Sequence, residues 1–75
     1  MKRATVVWLD AEIKYQHMSM EEGLAMRPCK VVTIGWLLAD EEDYVIVAGD
    51  IYPADNTVNC VNVIPRGMVL DLEVD

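Results

Sequence analysis

Residues 29–39 read CKVVTIGWLLA, and three further apolar runs follow them: YVIVAGDI at 44–51, VNCVNVI at 58–64 and MVLDLEV at 68–74. Each run is short, rich in Val and Ile, and bounded by acidic residues or by Pro, Gly and Asn. Such runs are typical of consecutive antiparallel strands. Residues 3–10 alternate weakly, with apolar side chains on both faces, and predict one more strand at the start of the chain. The sequence therefore predicts a mainly β protein of five strands.

One short helix is predicted between the first two strands. Ser19 and Glu22 have the spacing of a capping box, in which each side chain satisfies a free backbone donor of the other residue. The helix cannot continue past Pro28 and has about two turns at most. Met20 and Leu24 are four residues apart, so they share one helix face, and we expect them to dock the helix onto the sheet.

Turn residues separate the predicted strands. The acidic residues 40–43 form a hairpin between strands two and three, and Asp55 or Asn56 supplies left-handed geometry in the next turn. Gly35 is the expected bend or bulge in the long second strand. Residues 65–67 make the last turn. Because no repeat, linker or low-complexity segment divides residues 1–75, the five strands are predicted to form one small domain.

The apolar content is high for so small a chain. Hydrophobic residues make up 53% of the 75 residues, with no Phe among them. A domain of this size buries only about 60% of its unfolded surface. Trp8 and Trp36 lie mid-strand and are expected to anchor the core. The remaining apolar surface is expected to form an exposed patch for a protein partner or for another copy of the chain.

The charge distribution excludes several kinds of partner. Thirteen acidic and six basic side chains give a net charge of −7, so phosphate backbones and anionic lipids are expected to be repelled. No segment approaches the roughly 20 apolar residues of a membrane span, and no signal-peptide core follows the first three residues. We expect a cytoplasmic protein that binds neither nucleic acid nor membrane directly.

Catalytic, metal and cofactor sites are not predicted. His17 and Ser19 are the only His and Ser, and neighbours in one loop rarely achieve the geometry of a nucleophile and its base. The acidic residues 40–43 lack the alternating ligands and the Gly of a calcium loop. Cys29 and Cys60 are too few for a zinc site and are expected to be free thiols.

Four side chains are the best candidates for partner contacts in the connecting segments. Tyr15 and Tyr52 lie in loop or turn regions, where an exposed ring contributes more to binding than to folding. Met18 and Met20 flank the start of the predicted helix. Methionines in a loop can form an adaptable binding surface, although packing of the helix explains them equally.

The last strand has the clearest alternation in the chain. Asp71, Glu73 and Asp75 share one face, opposite a face of three apolar residues: Leu70, Leu72 and Val74. The three carboxylates, which we call the acidic strip, are spaced by roughly 6.5–7 Å, close to the spacing of phosphates along a nucleic-acid strand. The strip is either an ordinary solvent face or a mimic of nucleic acid that binds a basic protein.

The order of elements resembles small SH3-like and Sm-like barrels. The residues that carry the resemblance are 32–37 (VTIGWL), the hairpin at 40–44 and 63–69 (VIPRGMV). The Ile-Pro step in the last segment is similar to the 3₁₀ turn near the end of SH3 domains. The hairpin reads DEED where an Sm protein would carry an Asn for base recognition. The resemblance implies a five-stranded antiparallel barrel with one short helix after strand one, and no ligand carries over.

The patterns at 8–10, 33–36 and 64–66 also resemble small phage and prophage proteins of unassigned function. The sequence thus predicts a non-enzymatic acidic module that binds another protein or itself as a homo-oligomer. Two alternatives stay open. One is a nucleic-acid-mimicking inhibitor of a basic host protein. The other is a sponge for a small molecule or nucleotide, for which Arg27, Lys30 and Arg66 are the available cations.

Overall fold

The computed structural model describes all 75 residues and has the predicted mainly β architecture. Its elements in chain order are β1 (Arg3–Asp10), α1 (Met20–Leu24), β2 (Cys29–Asp40), β3 (Tyr44–Tyr52), β4 (Thr57–Pro65), a 3₁₀ helix η1 (Arg66–Met68) and β5 (Val69–Val74). All five predicted strands are present, with ends that differ by at most one residue from those expected. The 3₁₀ turn before the last strand is also present.

The five strands form one antiparallel sheet in the order β4-β3-β2-β1-β5. Hairpins join β2 to β3 and β3 to β4, whereas β5 returns to pair with β1. The strands β4 and β5 are the two edges of this order and do not pair with each other, so the sheet is open. Neither helix is long and apolar enough to cross a bilayer.

The long strand β2 changes its partner near Gly35. Residues 29–36 pair with β1, and Trp36 begins the pairing with β3, where it lies opposite Ala48. A side chain at Gly35 would clash with the carbonyl oxygen of Ala48 and come within 2.9 Å of Val47 Cγ1, so β2 and β3 approach closely only because this residue is Gly. The register shift itself lies further on, between Leu37 and Ala39.

The core lies on one face of the sheet, which we call the inner face. Its buried residues are Ala4 and Val6 from β1, Val45 and Val47 from β3, and Ile64 from β4. Because β1 is not a neighbour of β3 or β4 in the sheet, the sheet must curl for these side chains to meet. Four partly buried residues complete the cluster: Trp8, Leu37, Val69 and Leu72. The role predicted for Trp8 is confirmed, and Trp8 Nε1 also donates a hydrogen bond to Thr33 Oγ1 at 2.9 Å.

The 3₁₀ helix η1 connects β4 to β5, the two edge strands of the sheet, and contacts both β1 and β3. Arg66 fixes it in place. Its backbone N–H donates to the Asp43 carbonyl at 2.9 Å, and its guanidinium binds the Asp40 carboxylate and the Glu41 carbonyl. One of the four residues of the acidic hairpin is therefore paired rather than free in solvent.

The helix α1 begins where the sequence predicts it, but it does not dock. Ser19 Oγ accepts a hydrogen bond from the Glu22 N–H at 3.0 Å, which is one half of the predicted capping box, whereas the Glu22 carboxylate makes no hydrogen bond to the Ser19 N–H. Met20 and Leu24 are nevertheless 80% and 72% exposed, so the predicted docking is wrong. The pairing explains why: β5 reaches only as far as Trp8, so β1 and β2 continue alone to the loop and offer the helix no broad surface.

Candidate functional site

The residues considered for catalysis and metal binding do not form a site. His17 is exposed and makes no side-chain hydrogen bond, and Ser19 serves as the helix cap. No group of three or more His, Cys, Asp or Glu side chains is placed to hold a metal ion, and the surface has no pocket. Cys29 and Cys60 are free and exposed.

The three cations considered for a small-molecule site are divided between the two ends of β2, with Arg66 at one end and Arg27 and Lys30 at the other. Arg66 is bound at the β2–β3 hairpin. Arg27 lies near the other end of β2, where its guanidinium donates to the carbonyls of Leu24 and Met26 at 3.2 and 2.8 Å. Lys30 pairs with Leu9 in the sheet. One copy of the chain therefore does not bring Arg27, Lys30 and Arg66 together.

The acidic strip is only partly continuous. Asp71 and Glu73 lie opposite Val7 and Thr5 of β1, on the face of the sheet away from the core. Asp75 follows the end of β5, and its carboxylate accepts a hydrogen bond from Arg3 Nε at 3.1 Å. Leu72 and Val74 face the core side as predicted, but the register shift opposite Val7 and Trp8 leaves Leu70 exposed. Two unpaired carboxylates, rather than three, border this face.

The loop candidates share one end of the molecule. Antiparallel pairing places the β2–β3 hairpin at one end of the sheet. The loop between β1 and β2 and the β3–β4 turn both lie towards the other end. Tyr15 is 91% exposed, and Met20 and Tyr52 are also exposed, but Tyr52 is the last residue of β3, where it pairs with Thr57, rather than part of the turn as predicted. Met18 is half-buried and lies 3.8 Å from the position a Cβ would take on Gly23.

A further candidate surface is an apolar area on the outer face of the sheet, which was not assigned to any residues from the sequence. It contains large apolar residues of β2, β3 and β4 that point away from the core. These six residues, which we call the outer band, are Val32, Ile34, Trp36, Ile46, Val61 and Val63.

The register makes the outer band continuous. Ile46 lies opposite Val63, and Ala48 lies opposite both Trp36 and Val61. Directly opposite side chains are separated by about 4.5–5.5 Å, and residues two apart on a strand share a face. Leu37 packs against the core, and successive strand residues point to opposite faces, so Trp36 lies on the outer face rather than in the predicted core position.

Four of the six residues of the outer band are exposed although they are apolar, and Trp36 and Ile46 are half-buried. Ile34 is 69% exposed and Val63 is 62% exposed, and the band continues onto β1 through Val7, which lies opposite Val32. The sequence carries a signal for it, because β2 has apolar residues at both odd and even positions. A strand apolar on both faces is normally covered on both. A five-residue helix is too small to cover the second face.

The whole molecule exposes more surface than a monomer of its size should. A folded monomer of 8.5 kDa is expected to expose about 4,650 Å², whereas this chain exposes 5754 Å². Its radius of gyration is 15.7 Å, against about 11 Å for a compact 75-residue domain. Only 6 of 75 residues are buried. The excess of roughly 1,100 Å² is comparable with the ~800 Å² that each partner contributes to a standard protein interface.

The sequence matches no protein-family model, no curated protein and no solved structure.

Proposed function

We propose that this protein is a non-enzymatic, self-associating module and that the outer band is its main contact surface. The occupant we infer for this surface is a second copy of the same chain. The observation that carries the proposal is the continuous apolar face formed by β2, β3 and β4, together with the exposed area that exceeds the expectation for a monomer.

The energetics favour association through this face. Burial of apolar area stabilises by about 25 cal/mol per Å², and the two large side chains Ile34 and Val63 are mostly exposed in one copy. An outer band covered by a second copy would be apolar at the centre, with the carboxylates of Asp71 and Glu73 at the rim. Depletion of charge at the centre and a polar rim are the usual anatomy of an interface.

Net charge predicts how the association depends on salt. Each copy carries −7, so two copies repel each other at long range. Added salt screens this repulsion over a distance of about 10 Å at 0.1 M and about 3 Å at 1 M. Self-association through the outer band should therefore become tighter as NaCl is raised.

The test is the molar mass in solution, measured by size-exclusion chromatography with light scattering over a wide range of protein and NaCl concentrations. The mass should rise from 8.5 kDa towards twice that value with concentration. Ile34→Lys combined with Val63→Lys should hold the protein as a monomer. Leu70→Lys is the matched control, because Leu70 is exposed but lies on β5 outside the band. A wild-type protein that stays monomeric at the highest concentration would refute the proposal.

A second candidate function rests on the exposed pair Asp71 and Glu73. In this alternative the acidic strip mimics nucleic acid and binds a basic protein. The salt dependence then has the opposite sign, because screening weakens attraction between opposite charges. A pull-down from host lysate at low and high salt should lose the captured protein at high salt.

The matched variants for this alternative each neutralise three carboxylates. One carries Asp71→Asn, Glu73→Gln and Asp75→Asn. The other carries Glu41→Gln, Glu42→Gln and Asp43→Asn. These three changes remove the same charge from the β2–β3 hairpin and leave the acidic strip unchanged. If mimicry by the strip is the function, only the first variant loses the partner.

The proposal includes a fold family and a setting. We propose that the curled sheet belongs to the SH3-like and Sm-like barrels and that η1 spans the gap between β4 and β5. We also propose that the protein is of phage or prophage type and acts in the cytoplasm. The order of the strands and the position of η1 support the first part.

A further inference from the structure

The loop between β1 and β2 is a second apolar surface that nothing in one copy covers. It consists of residues 11–28, which we call the arm, and none of its residues is buried. Four of its large apolar side chains are strongly exposed: Ile13, Tyr15, Met20 and Leu24. Connections longer than about 12–15 residues are uncommon in compact domains and are usually functional or disordered. This one is 18 residues long and contains an ordered, capped helix.

The helix in the arm needs a surface to pack on. Isolated helices shorter than about 12–15 residues are marginal in water, because the first turn costs more entropy than its hydrogen bond recovers. The helix α1 has five residues, and its ends are held by the Ser19 cap and by the hydrogen bond that Arg27 donates to the Leu24 carbonyl. Met20 and Leu24 lie one turn apart on the same face and meet no strand of their own chain. Contact with another chain would supply the missing stabilisation.

We propose that the arm of each copy packs across the outer band of the other copy, so that two identical arms are exchanged about a two-fold axis. This inference rests on the self-association proposed above and adds the segment that makes the contact. In a two-fold interface the contact between an arm and an outer band occurs twice. Dimerisation would therefore bury the exposed apolar side chains of the arm and of the outer band on both copies.

The position of the arm fits this arrangement. The arm leaves the sheet after Asp10 and returns at Cys29, three residues before Val32 of the outer band. Its charges add no attraction to an acidic partner, because it carries three acidic and two basic side chains and its Lys14 already pairs with Glu12 at 3.9 Å. The contact is therefore inferred from the exposed apolar surface of the arm and of the outer band.

Cross-linking between two different single-cysteine chains tests the contact directly. In a background with Cys29→Ser and Cys60→Ser, one chain carries Leu24→Cys and the other carries Ile34→Cys. After mixing, a short bismaleimide should join the two chains. Leu24→Cys mixed with Leu70→Cys is the control, because Leu70 is exposed to a similar extent but lies off the band. A cross-link yield for Ile34 no higher than for Leu70 would overturn the inference.

A second measurement is made on a variant that keeps Cys29 and Cys60. Met20→Ser combined with Leu24→Ser removes the apolar face of α1 at positions that no other residue of the chain covers, so the fold of one copy should be unchanged. The dissociation constant of the dimer, measured by sedimentation equilibrium, should rise at least tenfold. A constant within twofold of the wild type would overturn the arm contact.

The outcomes separate the two proposals. If the arm variant dimerises normally while Ile34→Lys with Val63→Lys is monomeric, the arm inference fails and the proposed function stands. If the wild type is monomeric at every concentration, both fail. If both variants are monomeric and the Leu24 to Ile34 cross-link forms, both are supported.

Discussion

Replacement of Gly35 by Ala tests the close approach of β2 and β3. The added Cβ would clash with the carbonyl oxygen of Ala48 and lie 2.9 Å from Val47 Cγ1. The side chain of Val47 is buried in the core, and the carbonyl belongs to the backbone of β3, so neither can move aside cheaply. The two strands must separate where β2 changes partner.

The expected cost is large relative to the total stability. Overpacking of a core costs about 1–3 kcal/mol, and we expect about 3 kcal/mol here because a backbone atom is among those blocked. A 75-residue domain has a total stability of about 4–11 kcal/mol. With a urea m-value of about 1 kcal/mol/M for so small a chain, the unfolding midpoint should fall by about 2–3 M.

Urea unfolding, followed by the fluorescence of Trp8 and Trp36, measures this change. The protein concentration must be the same for all variants, because dimerisation would itself raise the apparent stability. Gly67→Ala is the matched control: a Cβ on Gly67 meets no atom within 4 Å, and its φ is not positive. That variant should be unchanged or more stable by up to about 1 kcal/mol. A Gly35→Ala midpoint within about 0.5 M of the wild type would refute the described packing.

Three further substitutions give distinct expectations. Ile64→Ala removes a fully buried core side chain and should lower the free energy of unfolding by about 2–5 kcal/mol in the same urea assay. Trp8→Phe deletes the donor to Thr33 Oγ1 and should cost about 0.5–1.5 kcal/mol, with a Thr33→Val change adding little in the double variant. Ser19→Ala removes the cap on the Glu22 N–H, and the loss of about 1 kcal/mol in each of the two arms should weaken dimerisation roughly 30-fold in sedimentation while the urea midpoint of the monomer is unchanged.

Each of these has an outcome that contradicts its premise. A stable Ile64→Ala variant would mean that the inner face is not the core. A Trp8→Phe variant as stable as the wild type would mean that the indole hydrogen bond contributes nothing. A Ser19→Ala variant with normal dimerisation would mean that the helix cap does not contribute to the stability of the dimer.

Local features of the fold follow closely from local sequence. The strand positions are readable because each apolar run ends at residues that favour turns. The start of α1 follows from the Ser19 and Glu22 pair, and the left-handed conformation expected at Asp55 or Asn56 occurs at Asn56, where φ is 55°. Cys60 has the same φ without any sequence signal, because Cys is not a residue that favours this region.

The candidate surface was only half predictable. The excess of apolar residues is visible in the composition, but its location depends on which face of β2 meets the core. That choice is made by long-range pairing, such as Val6 opposite Thr33 and Leu37 opposite Val47, which puts Ile34 and Trp36 outside. The acidic strip was readable as an alternation, whereas the pairing of Asp75 with Arg3 joins residues at the two ends of the chain.

By itself, the sequence determined the number and place of the strands, the turns, the helix cap and the surplus of apolar side chains, because these depend on neighbours a few residues apart. The tertiary structure alone decided that β5 pairs with β1, that the helix stands clear of the sheet and that one apolar face is left uncovered. The physical reason is that a strand with apolar side chains on both faces can turn either face towards the core and still bury apolar side chains. Only the curling of the sheet around Val6, Val45 and Ile64 selects the face that is buried.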